Sequence, residues 1–108
     1  MPLFHILSET DWKKLETEAH YEPASLATEG FIHLSSREQV EGTLDHFYKG
    51  RTDLVILEVH IPENDEHLKW EESNGPNGLA LFPHYYGPLA TQLIIQSSRH
   101  EEWLTRVL

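Results

Sequence analysis

The chain has 108 residues and no cysteine, with 39% hydrophobic and 24% charged residues, a composition typical of one folded unit. A chain of this size buries about 65% of the surface it exposes when unfolded, so residues 1–108 are expected to form a single domain without covalent staples. The lack of cysteine excludes thiolate catalysis, cysteine-ligated zinc and iron–sulfur clusters, and a net charge of −10 disfavours nucleic acid and anionic lipid as general partners.

No apolar run reaches the ~18 residues of a membrane span, and no charged, apolar and small-residue leader opens the chain. The expectation is a cytoplasmic protein with no membrane contact. Residues 3–7 (LFHIL) predict a short strand ending at Ser8, which caps a helix with Asp11 three residues on. Trp12, Leu15 and Ala19 form the apolar stripe of that helix. Residues 21–29, with Pro, Ser and Thr and no sustained period, read as an extended connection.

Residues 30–34 (GFIHL) predict a second strand. Ser35 and Glu38 match an S-x-x-E capping box, and Val40, Leu44, Phe47 and Tyr48 predict an amphipathic helix over 36–48 that stops at Gly50. Gly42 inside it costs about 1 kcal/mol relative to alanine. DLVILEVHI (53–61) is the strongest strand and is expected at the centre of the sheet, with Val55, Leu57, Val59 and Ile61 on one face and Leu54, Ile56, Glu58 and His60 on the other.

Pro62 ends it. Residues 67–72 predict a strand, 74–78 (NGPNG) a loop, 79–82 and 91–97 two further strands, and FPHYYGPL (82–89) a rigid turn. The last ten residues repeat apolar side chains at 103, 104, 107 and 108, which predicts a terminal helix. The sum is an α+β fold with a largely antiparallel sheet and two or three packed helices.

Eight histidines in one short chain direct attention to two matching contexts. FHILS (4–8) and IHLSS (32–36) each place a histidine near a strand end, two residues before a serine that caps a helix. If the two strands are neighbours, His5 and His33 line one cleft beside two helix N-termini, an arrangement suited to an anion or a ribose. Glu9 and Asp11 repel an anion at the first helix, so Ser35, Ser36 and Arg37 mark the better end. The competing reading is structural: hydrogen-bonded core histidines and serines that act only as caps.

Glu71 and Glu72 point to opposite faces of a strand, so one of them faces inward, where a carboxylate beside imidazoles suits a general base, a ribose-hydroxyl acceptor or a metal ligand. Phe82, His84, Tyr85 and Tyr86 crowd one short segment and suit a planar ligand, although Pro83 and Gly87 explain a rigid turn equally well. No nucleotide-binding glycine motif, zinc motif, nucleophile elbow or calcium loop is present.

The strings FHILS, Trp12, PASLATEGFIHLS (23–35), Gln39, VILEV, Trp70-Glu71 and FPHYYGPL together resemble the bacterial family called domain of unknown function 952, over nearly the whole chain. More remotely, a first-strand histidine, a following helix with a tryptophan, and a later H-I-H-[LF]-[SA]-type strand resemble the ADP-ribosyltransferase-like superfamily and its RNA 2′-phosphotransferase branch. That likeness implies a split, twisted sheet with a cleft for NAD or ADP-ribose. In such a cleft His5 would touch a ribose hydroxyl, Ser35 would sit on the second cleft strand, and Glu71 would be the nearest match to the transferase carboxylate. Ile6 and Leu7 stand where the superfamily often has Gly-Thr, Phe31 replaces the first histidine of the later motif, and Arg37 is the one arginine near a motif.

Three functions follow. The first is an ADP-ribosyltransferase-like cleft that binds a nucleotide-like ligand of the NAD or ADP-ribose type, or another small polar molecule, with transfer or hydrolysis as its chemistry. Its candidate catalytic residues are His5, His33, Glu71 and His84, and its candidate ligand-binding residues are Ser35, Arg37 and Tyr86. The second is a non-catalytic module with a protein partner. The third is a metal-assisted hydrolase built on the same histidines, for which no ligand spacing in the sequence speaks.

Overall fold

The computed structural model describes residues 2–107, with side chains through Trp103. Strand β1 (Pro2–Ser8) passes directly into helix α1 (Glu9–Leu15), where the Ser8 Oγ accepts the Asp11 N–H at 3.1 Å as the N-cap. Glu9 and Asp11 in the first turn and Lys13 and Lys14 in the last complement the helix dipole. The helix stops at Leu15, so Ala19, expected on its apolar stripe, lies outside it and is exposed. Trp12 and Leu15 alone carry the stripe onto the core.

Strand β4 (Leu54–His60) is central, between β1 and β8 (Ile94–Arg99), and antiparallel to both. Its alternation divides the apolar interior in two. Val55, Leu57 and Val59 join Leu3, Leu7, Leu15 and Tyr21 on one face, while Leu54 and Ile56 join Phe4, Ile6, Val40, Leu44 and Trp103 on the other. Both faces being covered explains a strand that is apolar almost throughout.

A second three-stranded sheet has the order β3 (Ile32–His33), β6 (Gly78–Tyr85), β5 (Leu68–Gly75). The expected loop at 74–78 is mostly strand. Asn74 and Gly75 continue the ladder, and only Pro76 and Asn77 turn, with Gly78 at φ +100° as the left-handed residue that closes the hairpin. The expected rigid turn at 82–85 is strand as well. Pro83 is tolerated because β3 gives out beside it: its carbonyl still accepts the Leu34 N–H at 3.1 Å, and its missing N–H falls where the ladder ends.

The connection over 21–29 is not extended throughout. It holds a two-residue strand β2 (His20–Tyr21), paired with β7 (Leu89–Ala90), and a five-residue helix α2 (Ala24–Thr28), too short to show a period in the sequence. The strand expected at 91–97 begins later, after a single 3₁₀ turn at Thr91–Leu93.

Helix α3 (Arg37–Phe47) is capped one residue later than expected, by Ser36 instead of Ser35. Gln39 at N3 returns its Oε1 to the Ser36 N–H at 3.0 Å and donates its Nε2–H to the Leu81 carbonyl at 2.7 Å, which ties the helix start to β6. Helix α4 (His100–Val107) brings Trp103 into the second apolar cluster; the expected stripe at Leu104, Val107 and Leu108 lies outside the described residues and side chains. The described residues thus form an α+β fold with antiparallel sheets and four helices, where two or three were expected.

The two larger sheets meet at one residue pair. Phe4 and Ser35 exchange both backbone hydrogen bonds at 2.8 Å, making β1 and β3 neighbours through an isolated bridge.

Candidate functional site

A groove of about 500 Å³ opens over that junction. Strand β1 supplies Phe4, His5 and Ile6 to its lining, the β3 segment supplies His33 and Ser35, and β6 supplies Phe82 and His84. Strand alternation puts Phe82 and His84 on the face opposite Tyr85, which belongs to the core. The imidazoles of His5, His33 and His84, expected to share a cleft, therefore line the same one.

Their circumstances differ. His5 is buried, with Nδ1 2.7 Å from the His33 carbonyl and Nε2 2.8 Å from the Tyr21 hydroxyl. A carbonyl can only accept, so Nδ1 carries the proton and Nε2 accepts from Tyr21. Burial pushes the His5 imidazole down to about 4, against the backbone hydrogen bond that favours its charged form. Burial also holds the Tyr21 phenol above its ordinary value. Both His5 nitrogens are committed to other strands, so His5 fixes the geometry of β1, β2 and β3.

His33 is half exposed and pairs through Nε2 with Glu29 Oε1 at 3.0 Å, one helical turn earlier in sequence. Its ring lies edge-on to His84, with centroids 5.6 Å apart, and both contact Phe31.

His84 carries the most specific arrangement. Its side chain is 5% exposed, and Nδ1 lies 2.9 Å from Glu71 Oε1. The Tyr86 hydroxyl donates to that same oxygen at 2.5 Å. The Tyr86 and His84 hydrogen bonds hold the Glu71 carboxyl below the usual carboxylate range, so it is an acceptor at neutral pH and His84 presents its proton from Nδ1. The Nε2 atom of His84 is buried with no hydrogen-bond partner. Phe31 stacks on the ring, centroids 4.0 Å apart and planes 20° from parallel. Glu71 and Tyr86 stand outside the groove lining and act on it through His84.

Ser35 lines the groove and approaches Thr43 of α3, Oγ to Oγ1, at 3.4 Å. Arg37, expected to meet an anion there, is placed elsewhere. Its guanidinium lies over the rings of Phe4 (5.1 Å) and Trp103 (5.7 Å) of the second apolar cluster.

Sequence reasoning missed Tyr21, Glu29, Thr43, Phe47 and Asn74. Glu29 precedes His33 by four residues, a spacing that was readable; the other four reach the site only through tertiary packing. Among the described residues no three histidine, aspartate or glutamate side chains are arranged to hold a metal ion, so the metal-assisted reading has no ligand set. No helix of the described residues is long and apolar enough to cross a membrane.

Fold and site together define a small α+β protein in which two antiparallel sheets meet beneath a groove lined by imidazoles. The chain belongs to the family described as Protein of unknown function (DUF952), whose model matches residues 6–97. It is similar to protein CC0527 from Caulobacter crescentus. The crystal structure of that protein is 34% identical with a TM-score of 0.79, covering 92% of this chain and 85% of that one. The solution structure is 33% identical with a TM-score of 0.76, covering 91% and 83%. None of the curated proteins matches.

Proposed function

We propose that the groove binds a small, planar, polar ligand of nucleotide-like character and that His84 accepts a proton from it. The observation that carries this reading is the state of His84: a nearly enclosed imidazole whose Nδ1–H is fixed by a carboxylate and whose Nε2 lone pair has no partner. A buried acceptor without a donor costs about 1–3 kcal/mol, which a ligand hydroxyl or amide would relieve. A carboxylate orienting an imidazole in this tautomer is also the general-base half of many transfer and hydrolysis sites.

The remote likeness to ADP-ribosyltransferase-like proteins, carried by His5, Trp12 and the strand ending in His33, Leu34 and Ser35, supports the same class of ligand. In this reading His5 braces the cleft, Glu71 orients His84, and Ser35 and His33 contact the ligand. Arg37 has no part in it. The site serves as a transferase or hydrolase centre of the cytoplasm.

The test is a titration followed by nuclear magnetic resonance, using NAD, ADP-ribose and the common ribonucleosides. At least one should shift the resonances of Ser35, Thr43, Phe47 and Asn74, and raise the thermal midpoint of the wild type more than that of His84→Gln. If no compound moves those resonances, the reading fails.

A second reading, the protein-interaction module, has its own observation. Trp70, Leu79 and Leu81 are exposed on one face of the β5–β6 hairpin. Loss of a partner on Trp70→Ser with ligand binding intact would favour it.

A further inference from the structure

The charge around the groove narrows the class of ligand, on the premise that the groove is the site proposed above. The described residues lining it include neither lysine nor arginine. Two arginines near it are engaged. Arg37 lies over Phe4 and Trp103, and Arg51, near the lining residue Tyr48, holds Asp53 through two hydrogen bonds at 2.8 and 3.0 Å. Lys69 acts on Glu71 from outside the lining.

The other feature that favours phosphate is the N-terminus of α3, beside Ser35. Its cap N–H on Ser36 is bonded to Gln39, and Glu38 in the first turn opposes an anion. Two carboxylates stand at the histidine end instead, Glu29 on His33 and Glu71 on His84. A pyrophosphate entering here meets no lysine or arginine in the described lining and approaches Glu29 and Glu71, and its own solvation is lost.

What the groove does offer is aromatic surface and neutral hydrogen-bonding groups. Phe47 lines it while 55% exposed, with the His46 ring edge-on against it at 4.5 Å, and Phe82 adds a second ring. Ser35, Thr43 and Ser73 supply hydroxyl groups that both donate and accept.

We infer that the ligand is a phosphate-free nucleobase or nucleoside, an uncharged heterocycle whose ring lies against Phe47 and whose polar edge meets the Ser35, Thr43 and Ser73 hydroxyls. Dinucleotides and nucleotides are then the weaker ligands of the same site.

The experiment compares adenosine, guanosine, cytidine and uridine with their 5′-monophosphates, ADP-ribose and NAD by calorimetric titration of the full chain at low and high salt. At least one nucleoside should bind, and its 5′-monophosphate should bind more weakly by about tenfold at low salt, the gap narrowing as salt screens the repulsion. Phe47→Ala, at an exposed position, and Thr43→Val, which keeps the side-chain shape, should weaken the nucleoside. A monophosphate, ADP-ribose or NAD that binds as tightly as the nucleoside overturns this inference and leaves the groove as a ligand site. If none of the compounds binds, or if neither variant affects binding, both this inference and the proposed function fall.

Discussion

His84 and Glu71 are joined diagonally across the β5–β6 hairpin. In the ladder Glu71 stands opposite Phe82, and His84 lies two residues further along the same face, where its Nδ1 reaches Glu71 Oε1 at 2.9 Å. With Tyr86 on the same oxygen, the carboxylate fixes which ring nitrogen of His84 holds the proton. Long-range proton–nitrogen correlation spectra near neutral pH should therefore show a protonated Nδ1 and an unprotonated Nε2 for His84. Glu71→Ala should mix the two tautomers. The opposite tautomer in the wild type would remove the basis for a general base at this position.

Stability should depend on pH through His5. Its folded-state value is lowered from 6.5 to about 4, so the unfolded chain takes up a proton in a range where the folded protein does not. The stability that the neutral, buried ring contributes is fully present above about pH 6.5 and is lost as pH falls toward 4, by about 3 kcal/mol in all. Urea denaturation across that range should show the decline, and His5→Gln should flatten it. An unchanged slope in the variant would mean that His5 is not a neutral buried group.

Gly42 tests how α3 packs on the hairpin. A Cβ at this position would sit 3.1 Å from Pro76 Cγ, tighter than an ordinary contact, in a helix where alanine is otherwise favoured by about 1 kcal/mol. Gly42→Ala alone should give little of that gain. Combined with Pro76→Ala, which removes the opposing atom, it should give nearly all of it, a coupling of about 1 kcal/mol in a double-mutant cycle by thermal or chemical denaturation. Additive effects would show that the helix and the hairpin tip do not press on each other.

Arg37 separates stability from binding. Its guanidinium over Phe4 and Trp103 is worth about 0.5–1 kcal/mol at an exposed position. Arg37→Ala should cost that much in chemical denaturation and leave nucleoside affinity unchanged. Unchanged stability with lost affinity would return Arg37 to the role its place in the sequence first suggested.

Most of the scaffold was legible because it rests on local pattern. The alternation of Val55, Leu57 and Val59 against Leu54 and Ile56 located the central strand and separated the two apolar clusters, and Ser8 marked the start of α1. The recurrence of histidine before serine pointed to two strands that are indeed bridged, at Phe4 and Ser35. Position beyond the local pattern was not readable. Ser35 and Ser36 are both capping types, and the one whose N–H meets Gln39 is Ser36, with that glutamine also held by Leu81 forty-two residues away. Pro83 signalled a turn by itself, and only the ending of β3 beside it lets a strand continue through. Tyr21 reaches His5 because β2 pairs with β7, a contact that no nearby sequence announces.

The strands of the two sheets alternate along the chain: β1, β4 and β8 build one, β3, β5 and β6 the other. No single cut through the described residues separates the two sheets. The first strand must wait for a partner in the middle of the chain, and that partner for another near the end, so assembly is dominated by distant pairings and is slow for a protein of this length. A fragment that stops before β8 leaves the central strand with an open, apolar edge. Shortened forms will therefore tend toward self-association instead of yielding a smaller working unit.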